Sequence, residues 1–160
     1  MFLIEEEIDS KGKEQEKERA LKLAKFYKEE GLYEDAIKNY ELFIFLSGDK
    51  DIDSLLYKDL AVCYSLTGLT AEAINNLKKA AKTSNGDISV IYLLAQMYEQ
   101  SGMYDEAEYY YNEILKKDEN MSSVYYQLGE IAYKQGNVDV AIVNWNKVTE
   151  LEPTNSYAHY

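Results

Sequence analysis

The sequence predicts an all-α solenoid, a row of antiparallel helix pairs stacked one behind the next. Three observations predict it. Four glycines, Gly31, Gly68, Gly102 and Gly136, fall at intervals of 37, 34 and 34 residues. Five places after each stands a small residue (Ala36, Ala73, Ala107, Ala141), and nine places after a large one (Tyr40, Leu77, Tyr111, Trp145). Before each glycine the pairs Leu23-Ala24, Leu60-Ala61, Leu94-Ala95 and Leu128-Gly129 recur. Two helices that cross closely need small side chains at the crossing and bulky ones beside it. The glycine, just past the first helix of each pair, supplies a left-handed backbone that other residues adopt only at a cost. A fixed period of this length means that each pair buries its apolar face on its neighbours.

Taken in order, residues 1–16 stand outside the repeats as an N-terminal extension, flexible or forming an extra turn of the first helix. The repeats are 17–50, 54–87, 88–121 and 122–155. From about Glu14 to Glu30, Ala20, Leu21, Leu23, Ala24, Phe26 and Tyr27 keep a helical period, and Leu32 to Leu46 supplies the second helix. The spacer from Ser47 to Asp53 accounts for the longer first interval, a loop insertion that adds little closure entropy. In the second repeat Asp53 or Ser54 caps a helix ending near Thr67, and another runs from Thr70 to Thr83 before the Asn85-Gly86 turn. In the third, Asp87 starts a helix that breaks at Ser101-Gly102, and Lys116 and Lys117 suit the carbonyl end of its partner. Asn120 is the expected cap of the fourth repeat. Pro153 is the only proline, its place being taken earlier by Gly48, Asn85 and Glu119. Residues 156–160 read as the start of a further helix.

On these positions jointly, and most closely over Ser122 to Asn155, the sequence resembles the tetratricopeptide repeat family, with four repeats. The resemblance implies a right-handed superhelix whose first helices line a concave groove in which extended or helical peptides lie. It thereby implies a non-enzymatic scaffold for protein–protein interaction. A self-associating assembly element, or an accessory domain of a larger protein, are the alternatives. One subclass of the family clamps the C-terminal carboxylate of heat-shock chaperones with Lys, Asn and Arg at set groove positions. The corresponding residues here, Leu21 and Lys25, Asp59, then Ser89 and Leu93, do not supply that set.

Composition narrows the function further. At 160 residues, with 46% hydrophobic and 29% charged residues, the chain has the makings of one folded domain rather than a disordered one. Its 29 acidic against 17 basic residues give a net charge of −12, and Arg19 is the only arginine, so nucleic acid is a poor partner and a protein a better one. The lone histidine, His159, sits in the last two residues, and neither a Gly-rich phosphate loop nor metal-ligand spacing occurs. No catalytic residue, metal or cofactor is expected. Cys63, the only cysteine, lies between Val62 and Tyr64 and reads as an inert core thiol. The opening MFLIEEEIDS lacks the basic start and apolar run of a signal peptide, and no segment reaches the length needed to span a bilayer. Membrane insertion is not expected, and a cytoplasmic setting is the default.

The resemblance also assigns groove positions, counted back from each turn glycine. Lysines collect early in these rows, as Lys22, Lys25, Lys28 and Lys58; tyrosines, glutamines and glutamates collect late, as Tyr92, Gln96, Glu99, Tyr126, Gln127, Glu130 and Tyr133. Of sixteen tyrosines, nine fill positions where the family places a packing aromatic; Tyr92, Tyr109, Tyr110, Tyr126, Tyr133, Tyr157 and Tyr160 do not. Tyr92, Tyr126 and Tyr133 are read as flat amphipathic anchors for a partner segment, with Gln96 and Gln127 reading its backbone. The alternative is that these rings only shield neighbouring helices. Val140 and Val143, four and seven places after Gly136, replace residues that are mostly polar in earlier repeats. With Tyr157 and Tyr160 they form the expected end-to-end interface, through which the C-terminal end meets another copy or a partner.

Overall fold

The computed structural model describes residues 2–50 and 52–153, and among these every regular element is helical. The helices fall into two compact units, Met1–Gly86 and Asp87–Tyr160. The first contains α1 (Phe2–Glu29), α2 (Tyr33–Ser47), α3 (Ser54–Leu66) and α4 (Thr70–Thr83). Here α1 packs on α2 and α3 on α4, with α2 against α3 joining the pairs. The second contains α5 (Ile88–Gln100), α6 (Tyr104–Lys117), α7 (Ser122–Lys134) and α8 (Val138–Leu151), paired in the same way and joined through α6 and α7. The fold is an all-α solenoid of helix pairs.

The four turns within pairs are one motif built four times. Gly31, Gly68, Gly102 and Gly136 take φ of 76°, 81°, 74° and 79°. In the first, Gly31 N–H donates to Lys28 O at 3.1 Å and Leu32 N–H to Tyr27 O at 2.8 Å, the double bond of a Schellman cap. The same pair of bonds recurs at Gly68 and Leu69, Gly102 and Met103, and Gly136 and Asn137. Leu32, Leu69 and Met103 donate their backbone N–H to the carbonyl of a tyrosine two residues before the end of the helix, Tyr27, Tyr64 and Tyr98. The fourth repeat has Asn137 and Ala132, so a smaller residue on one side goes with a polar one on the other.

The turns between pairs differ from one another. Gly48 and Asp49 are both left-handed after α2, Asn85 and Gly86 after α4, and α6 ends in an extended Asp118. Asp53 caps α3 by accepting from Leu56 N–H at 2.8 Å, and Asp87 caps α5 through Ser89 N–H at 2.8 Å. Asn120 does not cap α7: Met121 holds that position with no side-chain bond, and Asn120 N–H instead donates to the Asp118 carboxylate at 3.1 Å. Asp118 folds the two residues after it into an Asx-type turn, which uses Asn120 N–H as its donor. Helix α1 starts at Phe2, well before Glu14, so the polar stretch from Ser10 to Glu16 is helical. That stretch is dominated by Lys, Glu and Gln, which hold a helix readily, and Lys17 reaches Glu14 at 3.9 Å.

The crossing points are closed. Ala36, Ala73, Ala107 and Ala141 are all 0% exposed. Tyr40 and Tyr111 are equally enclosed beside them. In the fourth pair Gly129 lies under the Trp145 indole, and a Cβ there would stand 2.5 Å from Trp145 Cδ1, inside any allowed contact.

Candidate functional site

In the first unit the four lysines have different surroundings. Lys22 and Lys25 are exposed and make no ion pair among the described residues, and Lys58 is half-buried. Lys28 is committed: its Nζ lies 2.5 Å from Asp59 Oδ1, with both side chains largely sheltered. Close to this pair Tyr40 keeps a buried hydroxyl that finds no hydrogen-bond partner among the described residues. Burial first, then the negative field of Asp59, pushes its ionisation well above the ordinary tyrosine range. Cys63 is fully buried, and burial pushes its thiol up to about 11 against a weaker opposing pull from Lys28. The inert thiol expected from sequence has this physical basis. Tyr64 donates its hydroxyl to Glu41 across α3 and α2.

The second unit gathers the aromatic and acidic positions. Tyr92 on α5 is half-buried, its ring 5.7 Å from that of Tyr111 and edge-on to it. The Tyr111 hydroxyl donates to Glu99 Oε2 at 3.0 Å, and Lys134 Nζ reaches Glu99 Oε1 at 3.3 Å, leaving the Glu99 side chain 11% exposed. Burial and the Glu99 carboxylate together hold Tyr111 firmly in its neutral form. Tyr126 and Tyr133, on α7, are 49% and 58% exposed, and the Tyr133 ring lies 5.9 Å from the Trp145 ring. Gln96, Gln127 and Glu130 are half-buried. Of the other surplus tyrosines, Tyr110 stacks on Tyr98 with centroids 5.6 Å apart, Tyr109 is exposed, and Tyr157 and Tyr160 lie outside the described residues. The Glu99 network is a feature that residue spacing did not announce. A hint was available: Glu99 and Tyr111 stand three before and nine after one glycine, where the first repeat has Lys28 and Tyr40.

On α8, Val140 is 45% and Val143 67% exposed. Val140 borders a recess of about 230 Å³ shared with Glu108 and Asn112 of α6 and Leu128 and Ile131 of α7. Val138 and Ile142, which the polar-versus-apolar comparison had not singled out, are exposed to a similar degree. Among the described residues no group of three or more His, Cys, Asp or Glu is placed to hold a metal ion, and no helix is long and apolar enough to cross a membrane.

Stacked helix pairs, exposed aromatic and charged side chains on their first helices, and a sealed core define a repeat scaffold for protein–protein interaction. A family model described as anaphase-promoting complex, cyclosome, subunit 3 matches residues 29–114, more than half of the chain, and one described as tetratricopeptide repeat matches residues 122–155. The chain belongs to the tetratricopeptide repeat family. No curated protein matches it. Among solved structures, a crystal structure of MamA is similar at 25% identity and TM-score 0.75, over 90% of this chain and 81% of that one. A tetratricopeptide repeat protein from Parabacteroides merdae ATCC 43184 matches at 17% identity and TM-score 0.78, over 87% of this chain and 54% of that one. YrrB, described as a TPR protein with an unusual peptide-binding site, matches at 17% identity and TM-score 0.71, over 81% and 66%.

Proposed function

We propose that the chain is a non-enzymatic scaffold that holds segments of a partner protein against the first helices of its repeats. The observation that carries this reading is the exposure of Tyr126 and Tyr133 on one helix, α7, with Tyr92 and Gln96 on α5 and Gln127 and Glu130 on α7 half-buried. A half-exposed tyrosine offers a rigid ring and a hydroxyl to a ligand at low entropic cost. The buried side of this face is already saturated, because Glu99 is held by Tyr111 and Lys134, so Glu130 is left as its available carboxylate. Basic or apolar stretches of a partner therefore suit the second unit, while Lys22 and Lys25 give the first unit a preference for acidic ones. Lys28 is excluded from that role by Asp59. The peptide-binding description of YrrB supports the reading by analogy of fold alone.

The test uses two sets of synthetic peptides, one of Lys and Leu and one of Glu and Leu, titrated by fluorescence anisotropy. The basic set should bind the wild-type chain, and Tyr126→Ala with Tyr133→Ala should weaken it by roughly tenfold or more, on the scale of two lost aromatic contacts. Helicity should be unchanged, since both rings are exposed. Undiminished binding by the double variant would move the site to another surface.

A further inference from the structure

The repeats agree at most positions, and three of the exceptions meet in one place. Four places before the turn glycine stand Tyr27, Tyr64 and Tyr98, but Ala132 in the fourth repeat. Six places after it stand Ile37, Ile74 and Ile142, but Glu108 in the third. One place after it stand Leu32, Leu69 and Met103, but Asn137 in the fourth. Ala132, Glu108 and Asn137 all border the recess of about 230 Å³ between α6, α7 and α8.

The first unit shows what fills this place when the pattern is kept. Tyr64 on α3 is buried and donates its hydroxyl to Glu41 on α2, ten places after the turn glycine, and Ile37 on the same helix is buried as well. Transposed to the second unit, the Tyr64 ring falls on Ala132, and its acceptor Glu41 falls on Asn112, which also borders the recess. The apolar floor remains, since Leu128 and Ile131 line the same space and are buried side chains of α7. The recess is thus the volume of a missing tyrosine, with its floor and its hydrogen-bond partner still in position. Protein interiors are otherwise close-packed, and an aliphatic cavity of ~150 Å³ is large enough to take up benzene.

We propose that this recess receives a tyrosine side chain of a partner protein, its ring on Leu128, Ile131 and Ala132 and its hydroxyl on the Asn112 amide, beside a Lys or Arg of the partner that pairs with Glu108. The hydroxyl donates to the Asn112 side-chain oxygen, as Tyr64 donates to Glu41. Glu108 makes no ion pair among the described residues, and no Lys or Arg borders the recess. The lysine next to it along α7, Lys134, is held by Glu99. A tyrosine with a basic neighbour therefore meets both the shape and the charge of the site. The chain's own Tyr157 and Tyr160 belong to a stretch, residues 154–160, that contains neither Lys nor Arg. That stretch follows the far end of α8, about 16 Å along the helix from Val140 at the recess. The site shares no residue with the Tyr126 and Tyr133 face and does not rest on the reading proposed for it.

The test titrates the full chain with two blocked tetrapeptides, Gly-Tyr-Lys-Gly and Gly-Phe-Lys-Gly, and follows the side-chain methyl resonances of Leu128, Ile131 and Val140. The tyrosine peptide should shift these methyls to saturation, and the phenylalanine peptide should bind about fivefold more weakly, the scale of one net hydrogen bond. Ala132→Tyr should fill the recess from within, abolish the shifts and raise the melting temperature. If that variant does not fold, Ala132→Leu fills part of the space and should weaken the tyrosine peptide instead. No saturable shift in the wild type overturns the proposal, as do shifts that survive in the folded Ala132 variant. Equal binding of the two peptides overturns it too, leaving an apolar dent with no use for the hydroxyl. Shifts that appear only after Tyr157→Ser and Tyr160→Ser overturn it in favour of the chain's own tyrosines as occupants.

Discussion

At position 129 the chain carries glycine where the other three repeats carry alanine, and the reason lies sixteen residues later. Trp145 fills the place of Tyr40, Leu77 and Tyr111, and its larger ring occupies the space a Cβ at 129 would need. Gly129→Ala should cost about 1–3 kcal/mol through overpacking, and adding Trp145→Tyr should return much of it. A double-mutant cycle by urea denaturation reads the coupling; additive effects would mean that the two residues do not share the space. Both departures from the repeat pattern were legible in the sequence, but spacing alone does not say that one makes room for the other. Cys63 gives a second measurable consequence. Its thiol is raised from an ordinary value near 9 to about 11, so between those values the folded chain holds a proton that the unfolded chain has released. Stability should be fully present below pH 9 and fall as pH rises toward 11, with Tyr40, Tyr64 and Tyr111 adding to the loss at higher pH. Cys63→Ala should flatten the first part of that slope in pH-dependent thermal melts, and an unchanged slope would assign it to the tyrosines alone.

Helix ends show how far local residue type determines local structure. Glycine placement read the four Schellman turns correctly, because a left-handed residue after a helix is a strictly local demand. Side-chain caps were less legible. Asp53 and Asp87 cap as their sequence context suggests, whereas Asn120 yields to Asp118, which reaches the turn first and leaves α7 without a side-chain cap. Asp53→Ala should therefore cost about 1 kcal/mol, while Asn120→Ala should be close to neutral by the same urea titration. A cost at Asn120 equal to that at Asp53 would restore it as a cap. Helix α1 shows the opposite limit: its polar N-terminal part has no repeat signal, and only its helix-forming composition carries it.

For the molecule as a whole, repeat periodicity made the class of fold readable before any coordinates, since each pair repeats the same contacts. Which charges remain available was not readable. Lys28 finds Asp59 thirty-one residues away, and Lys134 finds Glu99 thirty-five away, across neighbouring repeats. Two of the residues that the groove rows offered to a partner are spent inside the fold by those pairings. The remaining imbalance of −12 should make the folded chain repel itself at low ionic strength. Added sodium chloride should raise the melting temperature as screening shortens toward about 10 Å near 0.1 M. A melting temperature that falls with salt would instead give the dominant role to the cross-repeat ion pairs.

Trp145 is the only tryptophan in a chain of sixteen tyrosines, and it sits against Gly129 and Tyr133 in the last helix pair. Its indole N–H is enclosed without a hydrogen-bond partner among the described residues. Intrinsic emission excited at the red edge of absorbance thus comes from one known place, while far-ultraviolet dichroism averages over all the helices. Recorded together through a melt, the two signals compare the order in which the last pair and the rest of the array come apart, with no label attached.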